Sequence, residues 1–168
     1  MPTSPTEKAA QTAQPSAAQA DSGGRKLSNF LCFAIYSANL AFGRAYKPIL
    51  DKLGLTYTQY VAMVALSEED DQTVGTLGEK LFLESNTLTP ILKKLESEGY
   101  LQRRRDPADE RQVRVTLTPA GRKLVEMEPG AALTDAIGLG DDFPVVQQTV
   151  VTLRDNLLRA TQGNSGKG

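Results

Sequence analysis

Residues 77–121 read LGEKLFLESNTLTPILKKLESEGYLQRRRDPADERQVRVTLTPAG, and the period of the apolar residues changes midway through the stretch. Before Gly99, the residues Leu88, Ile91, Leu92 and Leu95 recur at three- and four-residue steps, the spacing of one helix face, and Gly99 supplies the C-cap. Thr73 and Val74 open a shorter helix just upstream. Two short helices joined by a tight turn make a helix-turn-helix signature. Pro90 is tolerated near a first turn, which pulls the cap of the second helix toward Asn86 or Thr87 rather than Ser85. After Gly99 the pattern alternates: Val113, Val115 and Leu117 are interleaved with Gln112, Arg114 and Thr116. This half, with Tyr100 to Arg105 before it, reads as a β-hairpin whose polar tip is DPADE. Thr118 then caps a helix starting at Pro119 and Ala120, and Pro129, Gly130, Gly138 and Gly140 weaken its continuation.

Upstream, Leu27, Leu31, Ile35, Phe42, Ala45 and Ile49 predict a long first helix from Leu27 to about Leu53, with Ser28 as its N-cap. Phe30, Phe33, Ala34, Ala38, Leu40 and Ala41 widen its apolar surface beyond one stripe, which suits a subunit interface. Gly54 stops this helix, and Thr56 or Thr58 caps the next. That second helix carries Tyr60, Val61, Met63, Val64 and Leu66 to the acidic turn SEEDD, expected to face solvent. A final helix is expected from about Phe143 to Ala160. The order of elements predicts a mainly α fold with a small β-hairpin wing (α+β): a winged helix-turn-helix flanked by dimerisation helices. Residues 27–160 form the expected domain, 1–26 a disordered arm poor in large apolar residues, and 161–168 a flexible tail.

The 168 residues are 40% hydrophobic and suffice for one ordinary core. No segment has the apolar run of a secretory signal or a membrane span, so a cytoplasmic protein is expected. The chain has no histidine, which removes Ser-His-Asp and Cys-His constellations and argues against an enzyme. One cysteine builds no internal disulfide framework, and neither a metal site nor a cofactor is indicated. Net charge is −1, but Lys93, Lys94, Arg103, Arg104, Arg105, Arg111, Arg114, Arg122 and Lys123, nine of the nineteen basic residues, crowd into one segment. Such a cluster reads either as a nucleic-acid footprint or as a solvated face.

With these features in place, the sequence closely resembles the MarR family and, within it, the organic hydroperoxide resistance regulators (OhrR), from about Leu27 to Glu126. The resemblance is carried by LSNFLCFAIYSANLAFGRAYKPIL with its single cysteine, by GLTYTQYVAMVAL, by the helix-turn-helix and by the wing string DERQVRVTLT. Sensors of this branch that join subunits by a disulfide carry a second cysteine in later helices, and the matching stretch ALTDAIGLGDD has none. The chain therefore groups with the one-cysteine sensors. Glu84 and Asn86 stand where smaller or shorter residues are usual.

The resemblance implies a homodimeric repressor of double-stranded DNA, with an A·T-rich inverted repeat as operator. Ser85, Asn86, Thr87 and Thr89 would reach base edges in the major groove, Lys93 and Lys94 would reach phosphates, and Arg105 would also belong to the DNA-binding surface. Arg111, directed by Asp109, would enter the minor groove. The alternative for this pair is an ordinary surface ion pair, but a hairpin tip has no packing need for one, which favours the functional reading. Cys32 lies about one turn into the first helix, where the positive end of the macrodipole favours the thiolate, although a lone helical cysteine is often an inert core residue. By resemblance, the hydroxyls of Tyr46 and Tyr57, brought by the partner subunit, bond to the thiolate, with Tyr36 one turn along from Cys32 as an additional contact. An organic hydroperoxide would oxidise Cys32, and a low-molecular-weight thiol could resolve the product. The alternative input is a small aromatic or anionic ligand bound between the DNA-binding and dimerisation regions.

Overall fold

The computed structural model describes residues 26–131 and 133–164. Most of the expected arm and the end of the expected tail lie outside them. A 3-10 turn at Leu27–Asn29 precedes α1 (Leu31–Leu50), and another at Asp51–Leu53 follows it. The expected single helix is thus interrupted at Phe30, whose extended backbone (φ −92, ψ 117) keeps the first turn from running on. Ser28 caps nothing; its hydroxyl donates to Asn29. The Phe30 carbonyl instead accepts from the N–H groups of Phe33 and Ala34. The chain divides into two compact units, the first ending at Ser37 and the second starting at Ala38.

In the second unit, α2 (Tyr57–Glu68) starts with a reciprocal capping box: Thr56 Oγ1 accepts from the Gln59 N–H, and Gln59 Oε1 accepts from the Thr56 N–H. Next come β1 (Gln72–Thr73), α3 (Val74–Leu81) capped by Thr73, and α4 (Ser85–Ser97). The α4 helix begins earlier than Pro90 suggested, with Glu84 as its N-cap and no side-chain cap bond, so Pro90 lies inside the helix. Its ring removes one backbone donor, while the Thr89 hydroxyl donates to the Ser85 carbonyl at 2.6 Å. Gly99 takes φ 79, and the N–H of Tyr100 closes the helix end onto the Leu95 carbonyl.

The hairpin is β2 (Leu101–Arg105) against β3 (Val113–Leu117), antiparallel, with Leu101 opposite Leu117 and Arg105 opposite Val113. The short strand β1 adds to the other edge of β3, giving the order β1-β3-β2. Then follow α5 (Pro119–Glu126), capped by Thr118, α6 (Leu133–Ala136) and α7 (Phe143–Asn164). The α7 helix continues beyond the expected end at Ala160.

The core is one cluster in which Ala62, Met63 and Leu66 of α2 meet Leu77 of α3, Leu88, Leu92 and Leu95 of α4, Leu101 and Val115 of the sheet and Leu124 of α5. Burying a side chain of this size contributes about 1.5–3 kcal/mol. The helix-turn-helix and the hairpin therefore share one interior, which fixes α4 relative to the base of the wing. Large apolar side chains remain exposed on α1 (Leu31, Ile35, Leu40, Phe42) and on α7 (Val145, Val146, Val150, Leu157, Leu158). Among the described residues no helix is long and apolar enough to cross a membrane.

Candidate functional site

The first four positions of α4 include Ser85, Asn86 and Thr87, all exposed because the apolar stripe begins only at Leu88. Thr89 is half-buried. Lys93 is exposed, without an ion-pair partner among the described residues, whereas Lys94 pairs with Glu98 at 3.0 Å. An open cavity of about 380 Å³ lies between the start of α3, the start of α4 and the wing, and Thr73, Gly75, Ser85, Thr89 and Arg111 line it. The structure thus brings Ser85, Thr89 and Arg111 to one concavity. Lys93, Lys94 and Arg105 do not line it.

At the wing tip Arg111 grips Asp109. Its Nε donates to Oδ1 at 2.9 Å, its Nη2 to Oδ2 at 3.1 Å and its backbone N–H to Oδ1 at 3.1 Å. The Arg111 side chain, followed by Gln112, lowers the Asp109 pKa to about 2. The Arg111 side chain is still 91% exposed, so a hairpin tip presents a fully charged guanidinium of fixed direction. Arg105 donates to the Glu110 carbonyl at 3.0 Å.

Most of the remaining basic cluster is neutralised internally. Arg103 pairs with Glu96 at 2.7 Å, Arg104 with Asp71 at 3.0 Å, Arg114 with both Asp71 and Asp106 at 3.0 Å, and Arg122 with Asp70. The expectation that SEEDD faces solvent holds for Ser67, Glu68 and Glu69 and is corrected for the last two residues: Asp70 and Asp71 are half-buried anchors, and the Leu117 N–H also donates to Asp70 at 3.0 Å. Asp71 is separated by 33 residues from Arg104 and by 43 from Arg114, so periodicity carries no sign of these contacts.

Cys32 is an exposed free thiol at the second position of α1. Tyr36, one turn on, is exposed, with its ring 6.4 Å from that of Phe33. Farther along the chain Tyr46 and Tyr57 meet in a tilted contact with ring centres 4.9 Å apart, and Tyr60 completes the group at 6.1 Å from Tyr46. Tyr60 is a site candidate that the sequence reading passed over. Its spacing of three from Tyr57 on one helix face was the available signal. Burial, then Tyr46, raises the pKa values of Tyr57 and Tyr60, so both hydroxyls keep their protons and remain donors. Gly130 makes room for Tyr46: a Cβ there would lie 2.5 Å from the Tyr46 hydroxyl.

A helix-turn-helix whose interior continues into a three-stranded wing, with one charged guanidinium at the tip, defines a winged-helix regulator. Residues 44–127 match the family described as transcriptional regulator SarA/Rot. The organic hydroperoxide resistance transcriptional regulator of Bacillus subtilis (strain 168) is 41% identical over 135 residues, covering 79% of this chain and 92% of that protein. Among solved structures, AbfR of Staphylococcus epidermidis superposes with a TM-score of 0.68 at 34% identity, over 79% of this chain and 94% of that one. Overoxidized AbfR bound to DNA gives 0.65 at 37%, over 78% and 94%. The chain belongs to the SarA/Rot family of winged-helix transcriptional regulators of the MarR type, and it is similar to their organic hydroperoxide resistance members.

Proposed function

We propose that this protein is a homodimeric repressor that binds an A·T-rich inverted repeat and leaves it when an organic hydroperoxide oxidises Cys32. The observation that carries the reading is the single exposed thiol in the first turn of α1, in a chain similar to a hydroperoxide resistance regulator over most of both lengths. Exposed apolar residues along α1 and α7 are the surfaces a second copy would cover. Two-fold pairing would present two α4 helices to half-sites about one helical turn apart, with each Arg111 entering the flanking minor groove.

In the chemical step the Cys32 thiolate attacks the distal peroxide oxygen. The O–O bond breaks, the alkoxide leaves and takes a proton as the alcohol, and the sulfur, oxidised by two electrons, becomes a sulfenic acid. A low-molecular-weight thiol then condenses with it, forming an S–S bond and releasing water. No second cysteine exists in the chain to do this. The relative AbfR has been crystallised on DNA both reduced and overoxidized, and separately with a disulfide formed. That record favours the bulkier mixed disulfide as the species that releases DNA here.

The test is binding of reduced protein to duplex from its own promoter, with and without an organic hydroperoxide and a small thiol, beside Cys32→Ser. Release in the unsubstituted protein alone is expected. Release of both by a small aromatic acid, with peroxide inert, would transfer the sensing role to a bound ligand.

A further inference from the structure

Arg114 is positioned where the wing loses its third strand. The strand β1 pairs with β3 only through Gln72 opposite Val115 and Thr73 opposite Arg114, so beyond Arg114 the hairpin continues toward its tip as a two-stranded ribbon. Two-stranded ribbons are marginal and twist readily. At this junction the Arg114 fork is fully engaged. Its Nε donates to Asp71 Oδ1 at 3.0 Å, its Nη1 to Asp106 Oδ2 at 3.0 Å, and its Nη2 to the Asp71 carbonyl.

The two carboxylates belong to different parts of the molecule. Asp71 ends the turn after α2 in a left-handed conformation (φ 54), and Arg104 from β2 binds both of its oxygens at 3.0 Å. Asp106 is the buried residue at which the chain leaves β2 for the tip, and its Oδ1 accepts from the Ala108 N–H at 2.8 Å. The Asp106 N–H closes the base of the tip on the Gln112 carbonyl at 3.0 Å. One planar guanidinium therefore ties the turn after α2 to the first hydrogen bond of the wing tip. A lysine ammonium, a point charge with no fork, would not span the two carboxylates in the same geometry.

We propose that Arg114 is a positioning residue for the wing: by holding Asp71 and Asp106 together it fixes the angle at which the tip leaves the sheet, and hence where Arg111 meets DNA. The proposal rests on the DNA-binding reading above. Arg114 itself is drawn inward by two acids and contributes through Arg111 rather than by touching phosphate.

The first arm of the test needs no DNA. In the full chain carrying Cys32→Ser, Glu110→Cys supplies a single thiol for a nitroxide at the wing tip. Arg114→Gln and the charge-retaining Arg114→Lys should both increase nitroxide mobility while the thermal transition stays cooperative; unchanged mobility in both overturns the proposal. The second arm is a double-mutant cycle on duplex DNA. Arg111→Ala and Arg114→Gln should each weaken binding by about tenfold, and the combination should weaken it no more than either alone. Losses that multiply would show that Arg114 acts independently of Arg111, which also overturns it. Absence of any duplex binding by the unsubstituted protein would instead overturn the DNA-binding reading and the proposal with it.

Discussion

The guanidinium of Arg111 lies across the carboxylate of Asp109, with Nε 2.9 Å from one oxygen and Nη2 3.1 Å from the other, and the two residues are separated only by Glu110. Because the pair sits on a hairpin tip with no core to serve, its geometry sets the direction of a charge. The Asp109 pKa, lowered from 3.8 to about 2, reports that geometry. A depressed carboxylate favours the folded tip above the ordinary value, and the contribution is lost as pH falls through about 2. Carboxyl NMR should follow Asp109 titrating near that value, and Arg111→Ala should return it toward 3.8. An unsubstituted protein titrating at the ordinary value would contradict the pairing.

Tyr57 and Tyr60 have raised pKa values, with burial the larger cause and Tyr46 the next. Their contribution to stability is fully present below the unfolded value of 10.0 and is lost as pH rises through the higher folded value. Denaturant midpoints should therefore fall on going to strongly alkaline pH, and by less in Tyr60→Phe. An equal fall in both proteins would mean that the Tyr60 hydroxyl is as solvated as in the unfolded chain.

Gly130→Ala tests the tyrosine group from the side. The added methyl would meet the Tyr46 hydroxyl at 2.5 Å and its Cε1 at 2.7 Å, so the ring must shift away from residue 130 and its contact with Tyr57 is disturbed. If Tyr46 donates to the Cys32 thiolate, losing one charge-assisted hydrogen bond should slow peroxide oxidation of Cys32 by about tenfold at neutral pH. DNA binding by the reduced protein should be unaffected. Stopped-flow loss of free thiol measures the first quantity, and an unchanged rate would remove Tyr46 from the proposed site.

Lys93 and Asn86, both exposed on α4, should fail in different ways. Lys93→Ala should weaken binding to all duplexes alike and reduce the slope of log affinity against log salt by about one. Asn86→Ala should cost about 1–3 kcal/mol on the operator and little on unrelated DNA, relaxing selectivity at one base pair. Salt titrations on operator and scrambled duplexes separate the two, and a uniform loss in both variants would assign Asn86 to the backbone.

Where periodicity and end signals agree, the sequence could be read nearly residue by residue: Thr118 as a cap, Gly99 as the end of α4, and the alternation of Val113, Val115 and Leu117. It misled where one local rule was weighed alone. Pro90 suggested a later start for α4, yet the packing of Leu88, Leu92 and Leu95 carries the helix through it. The strand β1 has only two residues and leaves no alternating pattern to detect. The basic cluster was plain in the sequence, but its pairing with Asp70, Asp71 and Asp106 depends on the fold bringing distant residues together. Of the nine basic residues, Arg103, Arg104, Arg114 and Arg122 thus pair with acids of other elements, while Lys93, Arg105, Arg111 and Lys123 are exposed.

The uncovered apolar residues of α1 and α7 also bear on how much of this regulator is folded at a given abundance. If a second copy covers them, stability follows mass action: the unfolding midpoint rises with protein concentration, and dilution alone favours the unfolded chain. Repression would then respond steeply to the amount of protein made, since dimer and folded state are lost together. For the repressor proposed above, a cell producing few copies would hold its target promoter partly open before any peroxide arrived.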